Sequence, residues 1–437
     1  MAEQFYSFLL YTLGWGMLPL LLSKTGADPA FRRGRLGFYI GQSRQSHGPQ
    51  RPRAWFHASS VGEVTGAVPI IQLLHQRMGH AEIFLTVATP QGYRFAREKL
   101  PAWVQVLAFP LDYPHILGRA INHIRPDIFV ALESEFWPNL YYFLHRRRVP
   151  TVLLNGRLSA RSARTYRMLG PLFMPIFRQF RWLAMHSEED RRNVLQLGAR
   201  QDRTLVLGSS KYEGLLARAR PEAPAQWRQL LQIDPSTPVL VGGSLRRSEC
   251  VELVHIYQRL AVIEPNLVAI LAPRHLEQAP LMAQRMTAQG VEFQLLTQLE
   301  SGAQRRRSPV ILVDRIGALF ELYSLGSLIF VGGTLVDIGG HNILEPAVWR
   351  KPVFYGPHLQ KVDYEHKILQ VFGGSFLVNN SSELLNFWSR WITNLPGLRA
   401  HGEKAVLALD QLRGVVTKQV DLITTTLRSK NHVAHAR

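Results

Sequence analysis

Residues 54–64 read AWFHASSVGEV, an apolar run that ends in polar residues just before a predicted helix. The first six, AWFHAS, form a short continuous apolar run bounded by Ser and Gly, which is typical of a strand buried on both faces. Such strands belong to parallel sheets covered by helices on both sides, and ligands bind beyond the carboxyl ends of the strands. The stretch therefore predicts an α/β fold in which Glu63 is displayed at the ligand-binding edge of a sheet.

The same pattern recurs along the chain and restarts once. Further runs of the first half are EIFLTVAT (82–89), VQVLAFP (104–110), DIFVALE (127–133), TVLLNG (151–156) and RWLAMH (181–186). After Gly208 come TPVLVGGS (237–244), NLVAILAP (266–273), PVILVD (309–314), SLIFVGG (327–333) and PVFYG (352–356). Strands that alternate with helical segments predict two Rossmann-like doubly wound domains. We place these domains at residues 26–210 and 211–437, with a terminal helix that can cross back onto the first.

The chain begins with an uncharged apolar segment, QFYSFLLYTLGWGMLPLLLS (4–23). Its length suits a helix that spans a bilayer or lies in its surface, so we interpret residues 1–25 as a hydrophobic membrane anchor. Basic residues follow the segment, which by the positive-inside rule places the bulk of the protein on the cytoplasmic side. A buried core helix is the alternative interpretation.

The excess of positive charge lies mainly in the first half. The chain has 51 Lys and Arg against 32 Asp and Glu, a formal net charge of +19, and residues 1–207 account for +13 of it. Such a charge attracts a polyanion. The sequence has no zinc-finger or RNP-type motif, which argues against nucleic acid and favours an anionic membrane surface or an acidic substrate. Its one cysteine, Cys250, excludes an internal disulfide, and no Cys/His spacing typical of a metal site occurs.

A glycine-rich segment, GGTLVDIGGHNILEPA (332–347), follows a predicted strand of the second half. Glycine allows the backbone to approach a ligand closely, and the N–H groups at a helix start favour an anion such as phosphate. Asn342 and Glu345 have the spacing of a helix capping box. Glu345 could equally accept the two hydroxyls of a ribose, because a carboxylate only accepts. Glu63 likewise has two interpretations, a helix cap or a catalytic carboxylate.

Five motifs, in this order behind the apolar N-terminus, resemble the bacterial 3-deoxy-D-manno-octulosonic acid (Kdo) transferases. They are FHASSVGEV (56–64), ESEFWPN (133–139), LAPRH (271–275), GGHNILEPA (339–347) and YGPH (355–358). The resemblance extends over nearly the whole chain. It implies the GT-B fold, with two facing Rossmann-like domains, and transfer of Kdo from CMP-Kdo to a lipid A precursor at the cytoplasmic face of the inner membrane.

The resemblance also implies roles for individual residues. Glu63 matches the general base, and Glu135, with Glu133 as the alternate, matches a second acid. Positions that match the nucleotide site are Arg274, His275, Gly332, Gly333, Gly340, Asn342 and Glu345. Arg274 and His275 are expected to contact phosphate, the glycines to bring backbone amides near the donor, and Glu345 to bind the ribose of CMP. The implied displacement is inverting and requires neither a metal nor a cofactor.

Basic residues of the first domain are expected to hold the lipid A phosphates or the anionic bilayer. They are the arginines at 146–148 and Arg157, Arg161, Arg164 and Arg167. A solvated basic helix face is the alternative, since three of them recur at helical spacing.

The chain departs from the family pattern after VLVGGS. The family has a Thr-His and an acidic pair there, whereas this chain has LRRSEC (245–250), in which Arg246 or Arg247 supplies positive charge near the donor. Lys361 and the run DRIG (314–317) also differ from the family pattern. Two alternative functions follow: a GT-B transferase or epimerase with another nucleotide sugar, or a non-catalytic protein that binds the membrane surface.

Overall fold

The computed structural model describes residues 2–23, 28–39, 51–302 and 304–435. The chain forms two compact units. Unit 1 consists of Met1–Gly214 together with Gly414–Arg437, and unit 2 consists of Leu215–Arg413. The C-terminal segment therefore belongs to unit 1.

Unit 1 is built on a seven-stranded sheet. Its strands are β1 (Arg53–Ala58), β2 (Glu82–Val87), β3 (Val104–Ala108), β4 (Ile128–Leu132), β5 (Thr151–Gly156), β6 (Trp182–Met185) and β7 (Thr204–Val206). All pairs are parallel, in the order β3-β2-β1-β4-β5-β6-β7. The strand order reverses between β1 and β4, and a doubly wound sheet binds its ligands at this switch point.

The helices of unit 1 begin where the sequence provides capping residues. They are α1 (Ala2–Ser23), α2 (Pro29–Arg35), α3 (Val61–Arg77), α4 (Pro90–Lys99), α5 (Pro114–Ile124), α6 (Pro138–Arg146), α7 (Ala160–Met168), α8 (Gly170–Gln179), α9 (Glu188–Leu195) and, at the boundary of the units, α10 (Glu213–Arg218). Ser60, Thr89, Ser159 and Ser187 each accept a backbone N–H at a helix start. Such caps stabilise a helix by about 1 kcal/mol each.

Unit 2 repeats this architecture. Its strands are β8 (Val239–Leu245), β9 (Val268–Pro273), β10 (Phe293–Leu295), β11 (Val310–Leu312), β12 (Leu328–Val331), β13 (Val353–Tyr355) and β14 (Ser375–Leu377). They form one parallel sheet in the order β10-β11-β9-β8-β12-β13-β14. The helices that cover it are α11 (Ala223–Leu231), α12 (Glu249–Ile263), α13 (Ala279–Ala288), α14 (Leu296–Glu300), α15 (Leu319–Leu322), α16 (Glu345–Val348), α17 (Asp363–Phe372), α18 (Ser381–Trp391) and α19 (Leu395–Asp410).

The two parallel sheets confirm the predicted α/β class with two Rossmann-like domains. Each of the eleven runs predicted as strands contains a strand of the structure. The three strands that the pattern missed are β7, β10 and β14, each of three residues and each at or beside the edge of its sheet. β11 and β13 have the same length and were predicted, so shortness alone does not explain the three omissions.

The last helix, α20 (Val415–His435), packs against α3 in unit 1. Its apolar residues Val416, Val420, Ile423 and Leu427 are buried in the same core as β1 and α3. The buried Gln419 donates to Asn155 Oδ1 at 2.9 Å, at the end of β5. The C-terminus thus completes the core beneath the candidate catalytic edge of the first sheet.

The N-terminal segment is helical, but α1 packs on unit 1, where it contacts α6 and α8. The Tyr6 hydroxyl donates to Asp112 Oδ2 at 3.2 Å, and the Ser7 hydroxyl donates to Asn139 Oδ1 at 2.8 Å. The polar side chains of this helix tie its first half to the domain, and the interpretation of residues 1–25 as a membrane anchor stays a prediction.

The other side of α1 is apolar and exposed. Phe5 is 64% exposed and Phe8 is 61% exposed. In the part of the chain that the structure describes, no helix is both long and apolar enough to cross a bilayer. Of the predicted anchor, the side chains of residues 13–23 and all of residues 1, 24 and 25 lie outside the described residues.

Candidate active site

The candidate base Glu63 lies in the first turn of α3, directly beyond β1. Ser60 Oγ accepts the Glu63 N–H at 3.3 Å and donates to Glu63 Oε1 at 3.1 Å. Glu63 Oε2 accepts the Ser59 N–H at 2.7 Å. Glu63 therefore takes part in capping α3, which agrees with one of its two interpretations. Its side chain is buried, with 8% of the residue exposed.

The pKa of Glu63 is raised to about 7. Burial is the main cause, and the carboxylates of Glu133 and Glu135 add to it, while the hydrogen bonds from Ser59 and Ser60 oppose it. A carboxyl group with a pKa near neutrality can take up and release a proton at physiological pH, as a general base must. The cap and the base are thus compatible roles of one side chain.

Glu135 follows β4 and is held by donors. Its Oε2 accepts the Trp137 indole N–H at 2.9 Å and lies 3.3 Å from His57 Nε2. Burial alone would raise its pKa, but the hydrogen bond and charge of His57, with hydrogen bonds from Trp137 and Ser59, lower it below the usual value. Glu135 is therefore held in its ionised form.

Glu133, the alternate acid, is paired with a cation. Lys211 Nζ bonds to Glu133 Oε1. Glu133 has a φ of +59°, a left-handed conformation that non-glycine residues rarely adopt and that clusters at functional sites. Its carbonyl accepts the Arg157 N–H at 3.2 Å, which holds the strand-to-loop turn.

The three carboxylates thus converge on the ends of β1 and β4 but differ in their partners. Glu133 has Lys211 and Glu135 has His57, whereas the hydrogen bonds described for Glu63 come only from Ser59 and Ser60. Environments that push the pKa values of neighbouring carboxyl groups apart are typical of acid and base pairs in enzymes. Glu63 is the one among them that is poised to exchange a proton near pH 7.

Two functional neighbours were missed by sequence reasoning, His57 and Lys211. His57 is fully buried, and its Nδ1 lies 3.0 Å from the Thr86 carbonyl oxygen. Its other nitrogen, Nε2, faces the carboxylate of Glu135. The sequence does not indicate the partner of a His inside an apolar strand, so His57 was missed. Lys211 was missed because it is 78 residues away from Glu133 in the sequence.

The predicted basic residues divide into two groups. Arg157 lies at the end of β5, within 3.4 Å of His186 Nε2 and beside the carboxylate cluster. The arginines of α7 are exposed, namely Arg161, Arg164 and Arg167. Met168, at the end of the same helix, is 80% exposed. Because α7 contacts α8, and α8 contacts α1, basic and apolar exposed side chains lie on neighbouring helices of unit 1.

In unit 2, basic side chains gather at the carboxyl end of β9. Arg274 and His275 follow the strand directly and are exposed, and the Arg246 guanidinium contacts His275 Nε2. Burial lowers the pKa of His341 to about 4, and Arg274, Arg246, Lys361 and His275 add to this effect. His341 Nε2 is buried without a hydrogen-bond partner among the described residues. Together these side chains place positive charge at the carboxyl end of β9, which suits an anion.

The glycine loop is compact, and its predicted amides are occupied. Gly332 N–H donates to Gly243 O at 2.8 Å, Gly333 N–H to Glu249 Oε2 at 2.7 Å, and Gly340 N–H to Gly333 O at 2.7 Å. These three N–H groups are therefore occupied within unit 2, and the expected approach of the backbone to the donor stays a prediction. Glycine is still required at Gly332, where a Cβ would lie 2.7 Å from Glu249 Oε2.

Glu249 is the buried acceptor that organises this loop, and it was not predicted. Its carboxylate accepts the N–H groups of Arg246 at 2.9 Å, Gly333 at 2.7 Å, Thr334 at 3.0 Å and Leu335 at 2.9 Å. Three of these partners are 84 to 86 residues away in the sequence. Nothing local in LRRSEC indicates so distant a set of partners.

Asn342 and Glu345 lie together, but not as a capping box. Asn342 Oδ1 accepts the Leu344 N–H at 3.2 Å, and α16 begins after Leu344 rather than after Asn342. Burial raises the pKa of Glu345, while the charges of Arg218 and Arg274 lower it. The carboxylate therefore lies close to the Arg274 cluster, which brings the predicted ribose and phosphate residues to one edge of the second sheet.

Known proteins resemble the chain in both sequence and fold. A family model described as 3-deoxy-D-manno-octulosonic-acid transferase (kdotransferase) matches residues 32–214. A 3-deoxy-D-manno-octulosonic acid transferase of Haemophilus influenzae is 29% identical over 93% of this chain and 95% of its own. The chain is similar to Kdo transferases over most of its length. This similarity confirms the resemblance seen in the sequence and supports the prediction that the protein is an enzyme of the glycosyltransferase class.

A second relative differs in length. A bifunctional glycosyltransferase/methyltransferase of Fusobacterium nucleatum is 32% identical over 76% of this chain, and the chain spans about half of that protein, 51% of its length. Among solved structures, the UDP-GlcNAc 2-epimerase of Neisseria meningitidis superposes with a TM-score of 0.59 at 13% identity, over 85% of this chain and 100% of that one. This likeness shows the fold alone, which an epimerase shares.

Proposed function

We propose that the protein is an inverting glycosyltransferase that moves Kdo from CMP-Kdo to a lipid A precursor in lipopolysaccharide synthesis. The proposal rests on the opposite pKa shifts of two neighbouring carboxyl groups beyond β1 and β4. Glu135 is held ionised, whereas the pKa of Glu63 is raised to about 7. A transferase needs one such base for the acceptor hydroxyl.

In the proposed step, the acceptor hydroxyl oxygen attacks the anomeric carbon of Kdo. Its proton passes to Glu63, and the bond between the anomeric carbon and the phosphate oxygen of CMP breaks, so that CMP leaves with the electron pair. The transition state has oxocarbenium character, with negative charge growing on the leaving phosphate. The ionised Glu135 stabilises the positive centre in this scheme.

The donor is assigned to unit 2. Arg274, His275 and Arg246 offer positive charge to the departing phosphate, and the Arg fork suits phosphate oxygens. Arg246 takes the place of the Thr-His pair of the family pattern as a source of charge. Asn342 and Glu345 are assigned to the ribose, as acceptors beside the cluster. Since cations of the protein face the phosphate, we propose that no divalent metal is needed.

We further propose that unit 1 binds the cytoplasmic face of the inner membrane. The exposed Phe5 and Phe8 of α1 supply apolar area, and the exposed arginines of α7 supply charge for anionic headgroups or for the lipid A phosphates. In this arrangement α1 lies in the membrane surface, which is one of the two placements predicted for the N-terminal anchor. It delivers the enzyme to an acceptor that never leaves the bilayer.

The test is a transfer reaction with the full chain in vesicles that contain a tetra-acylated lipid A precursor. With CMP-Kdo, we expect release of CMP and an equal amount of Kdo on the lipid, measured by mass spectrometry, with no loss of rate in EDTA. Displacement of bound donor by UDP but not by CMP, or epimerisation of a UDP sugar, would favour the alternative nucleotide-sugar enzymes. A protein that binds the vesicles and turns over neither donor would favour the non-catalytic alternative.

A further inference from the structure

Unit 2 contains a pocket of about 240 Å³ at the end of its sheet that is opposite to the candidate donor residues. Its wall includes Ser327 and Pro352, which directly precede β12 and β13, and Thr237, which lies two residues before β8. Ligands of doubly wound sheets bind at the carboxyl ends of the strands, where Arg274 and Glu345 lie. The pocket at the amino ends is therefore a separate feature that the proposed transferase chemistry does not use.

Basic side chains from three elements line this pocket. Arg228 comes from α11, Lys351 from the turn between α16 and β13, and Arg399 from α19. A fourth, Arg350, forms an ion pair with Glu403, the acidic residue of the lining. Positive charge at the pocket thus exceeds negative charge by three.

The three remaining cations have no acidic partner among the described residues. Arg228 donates to the backbone carbonyl of Asp234 at 2.6 Å, and no ion pair involves Lys351 or Arg399. Burial, with the charges of Arg228 and Arg399, lowers the pKa of Lys351 to about 8. Like charges held together in a half-buried site destabilise the protein unless an anion neutralises them.

We propose that this pocket binds a phosphoryl group, carried either by a soluble metabolite or by a phospholipid headgroup. Two guanidinium forks and an ammonium can donate to several oxygens of one phosphoryl group, which is the geometry in which charge-assisted hydrogen bonds are strongest. The hydroxyls of Ser236 and Thr237 line the same space and offer further donors. The volume is below the roughly 300 to 1,000 Å³ of common ligand pockets, which suits a phosphoryl group with a small substituent.

The test compares the full chain with Lys351→Gln and Arg399→Gln, using inorganic phosphate as the probe and calorimetry as the readout. We expect each variant to bind phosphate at least about tenfold more weakly than the wild type, as expected for one lost charge-assisted hydrogen bond. Arg259→Gln, at an exposed position of α12, is the matched control and should bind like the wild type. Phosphate bound at the Arg274 cluster contributes equally to all these proteins, so the difference isolates the pocket.

A second measurement separates binding from simple damage to the fold. Without phosphate, Lys351→Gln should unfold at a higher temperature than the wild type, because one of three repelling charges is gone; with phosphate the order should reverse. Equal phosphate affinity in the wild type and both variants would overturn the proposal. Retention on phosphatidylglycerol vesicles that falls in Lys351→Gln would assign the site to a lipid headgroup. Phosphate binding that depends on Lys351, without that fall, would assign it to a soluble ligand.

Discussion

At the residue scale, the proton affinity of Glu63 sets the pH dependence that we predict for transfer. Its pKa is raised to about 7, chiefly by burial. A base works only when deprotonated, so kcat/KM should rise about tenfold per pH unit below 7 and level off above it. Initial rates measured from about pH 5 to pH 9 test this. A profile that is flat between about pH 6 and pH 8 would contradict the assignment.

The same shift has the opposite effect on stability, which provides a control. The pKa of Glu63 in the folded protein lies above the 4.5 of an ordinary glutamate, so its ionisation lowers the stability of the fold. The contribution of this group to stability is therefore full below about pH 4.5 and is lost as the pH rises through about 7. A rise of activity over that range consequently cannot arise from a gain of stability at Glu63.

Glu249 leads to a second prediction at this scale. Its carboxylate is the acceptor for four backbone N–H groups, so Glu249→Ala should lower the free energy of unfolding by about 3 kcal/mol or more. Glu249→Gln keeps one acceptor oxygen and should lose less. Urea unfolding of the two variants measures the difference. Midpoints equal to that of the wild type in both would refute the structural role of this carboxylate.

At the element scale, α1 is predicted to act as a surface helix. Replacing the exposed Phe5 and Phe8 by Ser should weaken binding to anionic vesicles at least about tenfold, since each Phe contributes roughly 1.5 to 3 kcal/mol when it leaves water. Vesicle sedimentation is the measurement. Val262→Ser, at a residue of α12 that is 83% exposed, is the matched control. Binding that persists unchanged in the Phe variant would assign membrane attachment to another surface.

The helix α20 is predicted to be part of the folding unit of the first domain. A chain that ends before Gly414 would lose four buried apolar side chains, each worth about 1.5 to 3 kcal/mol, against a total stability of about 5 to 15 kcal/mol. We expect unit 1 of the truncated protein to be degraded rapidly in limited proteolysis. Ile423→Ala should show a milder loss of about 2 to 5 kcal/mol. Resistance of the truncated chain equal to that of the full chain would contradict this account.

Long elements could be predicted from the sequence because their patterns are local. Continuous apolar runs marked every strand of four residues or more, while the three-residue strands β7, β10 and β14 were missed. In β10 the middle residue is Gln294, whose oxygen accepts the Arg307 and Ser308 N–H groups. The hydrogen bonds of Gln294 reach residues thirteen and fourteen positions away, and no local pattern in the sequence indicates them.

At the scale of the whole molecule, the candidate site shows the same division between local and distant information. Glu63, Glu135, Arg274 and Glu345 lie in local motifs, and their positions at strand ends followed from the α/β pattern. Their electrostatic partners come from far along the chain, as Lys211 does for Glu133. The charges and hydrogen bonds that set the pKa values of the site therefore depend on the fold and cannot be predicted from the motifs alone.

The charge distribution of the molecule fits a protein that works on a membrane. Residues 1–207 carry +13 of the net +19, and α8 contacts both α7, which carries exposed arginines, and α1, which carries exposed apolar side chains. Attraction of this kind weakens as salt screens it. Unit 1 is thus suited to meet the lipid acceptor, and unit 2, with the Arg274 cluster, to hold the donor.

The most direct test of this account is Kdo transfer from CMP-Kdo to the lipid A precursor by the wild type, Glu63→Gln and Ser60→Ala. We predict transfer by the wild type and a loss of about 10² to 10⁴-fold in Glu63→Gln, the usual contribution of a general base. Ser60→Ala removes the cap, costing about 1 kcal/mol of stability, and one hydrogen bond to Glu63 Oε1. It should keep transfer far above that of Glu63→Gln, with its pH profile moved to higher pH because that hydrogen bond lowers the pKa of Glu63. Equal transfer by Glu63→Gln and the wild type would contradict the central claim and leave Glu63 as a helix cap.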